Sequence, residues 1–177
     1  MSVWRVSHKY DKVGAKLADG HYSRRTIGAP QFMPPGETLV LVTVDDSAVF
    51  GWWRPHPRSG IVAMNGLDGW TCTIFRNVGK YLSSELVLEA ERHLLWERGN
   101  CGPSGLLTYV APKKIRSSNP GYCFRLAGYT KPPPALAKPK TAKGLRLLWK
   151  PWPFAGCQAS SIVNGEKRRP SEVRHAA

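Results

Sequence analysis

The order of apolar and polar segments predicts an α+β fold: a central mixed, mostly antiparallel sheet holding one parallel βαβ unit, with helices flanking it. Two observations carry this expectation. Residues 39–44 and 48–53 are apolar runs rich in β-branched and aromatic side chains, separated by Asp45-Asp46-Ser47, and so read as a β-hairpin. Residues 70–75 read as a strand, 83–98 as a helix and 105–110 as a buried strand, the order that a parallel crossover requires.

The remaining elements follow from local pattern. Val3-Trp4-Arg5-Val6-Ser7 alternates as a short strand. Residues 10–17 place Val13 and Leu17 one helical turn apart and stop near Asp19-Gly20, which predicts a weak helix. An irregular loop from His21 runs to Pro34-Pro35-Gly36. In the 83–98 helix Leu86, Ala90 and Leu94 form the apolar face, flanked by Val87 and Leu95. Glu85 in its first turn and Arg98 in its last suit the helix dipole, and Gly99-Asn100 stops it. Residues 119–125 turn into a short helix, 128–130 begin another strand, and 144–149 form a last strand pairing back across the 131–143 loop. The expected domain spans 1–150, with 131–143 as a Pro/Lys-rich loop inside it. Residues 151–177 are expected to form a basic, disordered tail.

Composition limits the partners. Lys and Arg number 26 against 12 Asp and Glu, a net charge of +14. Such a field attracts polyanions: nucleic acid, anionic lipid or phosphate-bearing cofactors. Residues 131–177 carry 10 basic and 2 acidic side chains, but residues 1–130 carry 16 and 10, so the body is basic without the tail. No apolar run approaches the roughly 18 residues of a membrane span, and the charged N-terminus does not suit a signal peptide. Cys72, Cys101, Cys123 and Cys157 are widely spaced, which favours reduced thiols in a cytoplasmic protein over disulfides or zinc. No metal site is expected from the spacing.

The strand leading into Arg76-x-x-Gly79-x-Tyr81 and then a helix is the strongest constellation. A helix N-terminus leaves N–H groups unpaired and carries partial positive charge, so it suits a phosphate. Gly79 allows close backbone approach and a positive φ; Arg76 and Lys80 add charge, and Ser83 and Ser84 can cap the helix or donate hydroxyls. The same features also fit a plain βα turn. His21, Tyr22 and Ser23 form the candidate catalytic run: an imidazole near neutrality takes a proton from an attacking amine, and a tyrosine donates one or stacks on a base. A loop anchor against the core is the alternative for that pair. Arg24 and Arg25 suit phosphate contacts or simple solvation.

The Arg76-x-x-Gly79-x run resembles the pyrophosphate loop of GNAT acetyltransferases, and Asn119 followed by Phe124-Arg125-Leu126-Ala127-Gly128-Tyr129 resembles that family's C-terminal signature. Tyr81 stands where the family prefers a small residue, and Phe124 where it commonly has a tyrosine acid, for which Tyr122 is the substitute candidate. The resemblance covers residues 1–150 and implies a GNAT-like fold. It also implies acetyl-CoA or another acyl-CoA held by Phe75, Arg76, Asn77, Val78, Gly79, Lys80, Ser83, Ser84 and Asn119. His21-Tyr22-Ser23 and its position after the first helix further resemble the phage Mom-like DNA modification proteins, which place a carbamoylmethyl group on adenine N6. This implies a transferase acting on a DNA base, with Arg24, Arg25, Lys113, Lys114 and Arg116 contacting the nucleic acid. An N-acetyltransferase of a small-molecule or protein amine, and a non-catalytic nucleic-acid-binding protein on the same fold, are the competing readings.

Overall fold

The computed structural model describes residues 2–56, 58–61, 63, 66–99, 102–115, 117–136 and 144–151. The elements run β1 (Trp4–Ser7), α1 (Lys12–Asp19), β2 (Glu37–Thr43), β3 (Ala48–Arg54), β4 (Trp70–Asn77), α2 (Ser83–Arg98), β5 (Leu106–Val110), a 3-10 turn (Pro112–Lys114), α3 (Tyr122–Leu126) and β6 (Arg146–Lys150). The six strands form one sheet in sequential order. Every neighbouring pair is antiparallel except β4 and β5, which α2 connects as a parallel crossover. The α+β expectation is therefore met.

Each face of the sheet is covered. On one, Leu86, Val87, Ala90 and Leu94 of α2 meet Trp4, Leu41, Phe50, Trp52, Trp70 and, from α3, Phe124. Two buried indoles satisfy their N–H groups on helix carbonyls: Trp4 Nε1 donates to Leu86 at 3.1 Å and Trp52 Nε1 to Ala90 at 3.0 Å. These bonds fasten α2 across β1 and β3. Gly99 closes the helix in the left-handed conformation, φ 72°. On the other face α1 and the chain after it cover Val40, Val42, Val49 and Ile74, with Phe32 and Met33 inserted. The 20–36 loop is thus pinned to the core at its far end.

One irregularity shapes the site. Trp52 pairs with Cys72 and Gly51 with Ile74, so Thr73 is an extra residue in β4, a β-bulge. The alternation reverses there: Trp70 and Cys72 face α2, Ile74 faces α1, and Phe75 returns to the α2 side. Beyond the bulge β4 and β5 separate. Their pairing covers only Trp70–Leu106, Thr71–Leu107 and Cys72–Thr108, although β4 continues to Asn77.

Two expectations need correction. Residues 128–130 do not begin a strand; they contribute one isolated bridge, Thr130 with Trp149, because Gly128 (φ 92°) turns the backbone immediately after α3. The last strand pairs along its length with β5 and meets Thr130 only at that bridge. The expectations for 137–143 and for all but the first residue of the 151–177 tail lie outside the described residues.

Candidate functional site

A cavity of about 380 Å³ opens where β4 and β5 part. Cys72, Thr73, Ile74 and Phe75 form one wall, Thr108, Tyr109 and Val110 the other. Asn119, Tyr122, Cys123 and Phe124 close one side, Ser83 reaches it from the start of α2, and His21 and Tyr22 reach it from the loop after α1. Six of the residues expected from sequence converge here: His21, Tyr22 and Tyr122 from the catalytic set, and Phe75, Ser83 and Asn119 from the cofactor set.

The loop after α1 is built to hold its first two residues over the cavity. Gly20 caps α1 through its own N–H, donated to Leu17 and Ala18 carbonyls. The Tyr22 hydroxyl oxygen accepts a hydrogen bond from the Ala111 backbone at the end of β5. Burial raises the Tyr22 pKa, partly offset by that bond. Tyr109, half-buried, is pushed up to about 12 by burial. Both phenols therefore remain protonated hydrogen-bond donors at neutral pH.

His21 stacks on Tyr22 with ring centroids 4.2 Å apart. Its Nδ1 lies 2.7 Å from Ser23 Oγ and accepts the Ser23 N–H at 3.3 Å. That acceptor role puts the proton of the neutral ring on Nε2. Burial, then the charge of Arg76, lowers the His21 pKa to about 4. Ser23 is exposed beside it.

The 78–82 loop differs from the phosphate cradle expected from sequence. Arg76 projects to the α1 side and donates to the Gly20 carbonyl rather than reaching the α2 N-terminus, because the bulge at Thr73 turns Arg76 to that face. Gly79 does not take a positive φ; a Cβ there would lie 2.1 Å from Ser47 Oγ, so the glycine is required by the hairpin turn it rests on. Asn77 holds the loop from within, donating to the Tyr81 carbonyl at 2.7 Å and to Ser83 Oγ at 3.1 Å while accepting the Gly79 N–H at 3.0 Å. Burial, then the Asp45 carboxylate that its hydroxyl meets, raises the Tyr81 pKa. Neither Ser83 nor Ser84 caps α2: the N-cap is Leu82, with no side-chain hydrogen bond. The first N–H groups of α2 therefore carry no side-chain cap beside the cavity. Val78 and Lys80 are exposed.

The expected nucleic-acid residues divide. Arg24 is an internal clamp: Nε meets Asp19 at 2.8 Å, and the guanidinium also donates to the Gln31 carbonyl at 2.9 Å and to that of Ala29. Its side chain is 9% exposed, which removes it from phosphate contact. Arg25 is exposed and unpaired among the described residues. Lys113 and Lys114 are exposed in the 3-10 turn directly after Ala111. Arg116 lies outside the described residues.

Sequence reasoning did not single out the β5 wall or Cys123. The predicted parallel pair was the available signal, since ligands in such sheets bind where neighbouring strands diverge. Among the described residues no group of three or more His, Cys, Asp or Glu is arranged to hold a metal, and no helix is long and apolar enough to cross a membrane. No family model, no curated protein and no solved structure matches this chain.

Proposed function

We propose that this chain is a GNAT-like, acyl-CoA-dependent transferase whose acceptor is an amino group of a DNA base. The observation that carries the reading is the cavity at the β4–β5 separation, lined by Ser83 at the start of α2 and by His21, Tyr22 and Tyr122. Among the described residues, the β5-facing edge of β4 beyond Cys72 has no strand partner. An extended, amide-bearing donor arm can add to such an edge through backbone hydrogen bonds, as peptides add to sheet edges. Pyrophosphate would then meet the first N–H groups of α2 and the exposed Lys80. The thioester would lie among Phe75, Thr108 and Phe124.

The chemistry follows from the hydrogen-bond directions. The acceptor amine attacks the thioester carbonyl, forming the C–N bond and breaking the C–S bond. Its proton passes to Ser23 Oγ as the Ser23 proton moves to His21 Nδ1. Tyr22 donates to the oxyanion, and Tyr122 gives its proton to the departing thiolate. An imidazole with a pKa near 4 is a weak base in the free protein. Arg25, Lys113 and Lys114 supply the charge that draws a phosphate backbone to the mouth.

The test is incubation with duplex or single-stranded DNA and a panel of acyl-CoA donors, followed by digestion and mass spectrometry of the nucleosides. A donor-dependent mass gain on one base supports the reading. Acylation of a small amine or peptide with unmodified DNA replaces it with the ordinary acetyltransferase reading. DNA binding with no transfer to any acceptor leaves the non-catalytic one.

A further inference from the structure

We propose that Ile27 is a wedge that enters a nucleic-acid base stack and holds it open while the displaced base occupies the cavity. This rests on the nucleic-acid reading above and adds to it the residue that opens the duplex.

At 76% exposure Ile27 is the most exposed large apolar side chain among the described residues. The loop that carries it is nevertheless fixed. Asp19, the last residue of α1, accepts Arg24 Nε on Oδ1 at 2.8 Å and the Gly28 N–H on Oδ2 at 2.9 Å. Arg24 binds back to the carbonyls of Ala29 and Gln31. Both ends of the 24–29 turn are thus tied to one carboxylate, and Phe32 and Met33 anchor the chain that follows in the core. Gly28 completes the turn at φ 79°, a conformation costly for other residues, with no atom of the described residues within 4 Å of where a Cβ would stand. The clamp therefore keeps Ile27 from folding back onto the body.

The surroundings identify what it enters. Arg25 is exposed two residues away. Tyr22, five residues before Ile27, lines the cavity, and five residues of chain span at most about 18 Å. A single apolar side chain beside an unpaired guanidinium is too small for a membrane surface or a protein hot spot. It matches the inserted side chains by which proteins part a base step and hold the distortion with phosphate contacts. An enzyme that modifies a base in a duplex must extrude it, and the vacated space has to be filled. The net charge of +14 supplies the complementary field.

The experiment uses the full chain and duplexes carrying the fluorescent base 2-aminopurine in every nearest-neighbour context, with anisotropy reporting binding. The wild-type protein is expected to bind duplex and to raise 2-aminopurine fluorescence in at least one context. Ile27→Ala and Ile27→Ser should lower the extruded fraction about tenfold while reducing duplex affinity less, since phosphate contacts dominate affinity. Ile27→Leu should restore the signal, and a mismatch opposite the target should rescue Ile27→Ala, because an unpaired base needs less help to leave. Unchanged melting temperature in each variant confirms that the fold is intact. Wild-type binding without any fluorescence rise, or an Ile27→Ala signal equal to wild type, overturns the wedge and leaves the nucleic-acid reading standing. Failure of the wild-type protein to bind duplex at all overturns both.

Discussion

Arg76 donates to the Gly20 carbonyl, so the strand leading into the 78–82 loop is joined directly to the turn that carries His21. The guanidinium is also the charge that, after burial, holds the imidazole down at about 4. Replacing Arg76 by Ala should move the His21 pKa up toward its ordinary 6.5, and Arg76→Lys should leave it depressed. Titration of the His21 ring signals by NMR measures this. A pKa unmoved in Arg76→Ala refutes the coupling.

The same depression has a consequence for stability. The folded His21 binds its proton with a pKa near 4 and the unfolded one near 6.5, so below 6.5 the unfolded chain takes up more protons. The stability contributed by the neutral ring is complete above 6.5, is lost as pH falls toward 4, and changes no further below that. Denaturant melts of the native protein and His21→Gln across this window should converge as pH falls.

Gly79 and Ser47 test why the 78–82 loop has its shape. A methyl at Gly79 would meet Ser47 Oγ, itself held by Asp45 at 2.7 Å. Gly79→Ala should therefore destabilise the fold by about 1–3 kcal/mol. Ser47→Gly in the same chain should recover much of the loss, a coupling that thermal denaturation of the four variants measures directly. Equal losses with and without Ser47 would show that contact to be unimportant.

A buried ion pair joins the last strand to α2. Lys150 Nζ, in β6, lies 2.6 Å from Glu91 Oε2 on α2 and donates to the Ala127 carbonyl at 2.8 Å. The side chains are 9% and 1% exposed. Glu91→Gln or Lys150→Met alone leaves an uncompensated partner and should cost about 3–5 kcal/mol, whereas Glu91→Leu with Lys150→Met should cost much less. Urea melts of the three variants decide between these outcomes.

The two adjacent arginines of the α1 loop should separate by function. Arg25→Ala should lower the slope of log affinity for DNA against log salt by about one contact with little change in melting temperature. Arg24→Ala removes three hydrogen bonds inside the loop and should destabilise it instead. Equal salt slopes for Arg25→Ala and the native protein would remove Arg25 from the interface.

The strands and helices around the site were legible because their signals are local: the 39–53 hairpin, the apolar stripe of α2 and the strand–helix–strand order. Register was not. The bulge at Thr73 arises from pairing with β3, and that one inserted residue sends Arg76 to the α1 side and away from the helix N-terminus. Gly79 is constrained by a cause the sequence did not show, since the contact with Ser47 joins residues far apart in sequence. Glu91 carried a readable signal: it lies four residues after Val87, inside the apolar stripe, where an acid requires a partner. That the partner is Lys150, the final residue of the last strand, no local pattern encodes. Arg24 and Arg25 are indistinguishable as neighbours in sequence, and only the fold of the 20–36 loop separates a clamp from an exposed cation.

The measurement closest to the central claim is calorimetric titration of the full chain with coenzyme A and acetyl-CoA. Binding of both is expected. Ser117→Trp, at an exposed position lining the cavity, should abolish binding without changing the melting temperature. Absence of heat with the native protein, or undiminished binding by Ser117→Trp, would contradict the assignment of the β4–β5 cavity as the donor site.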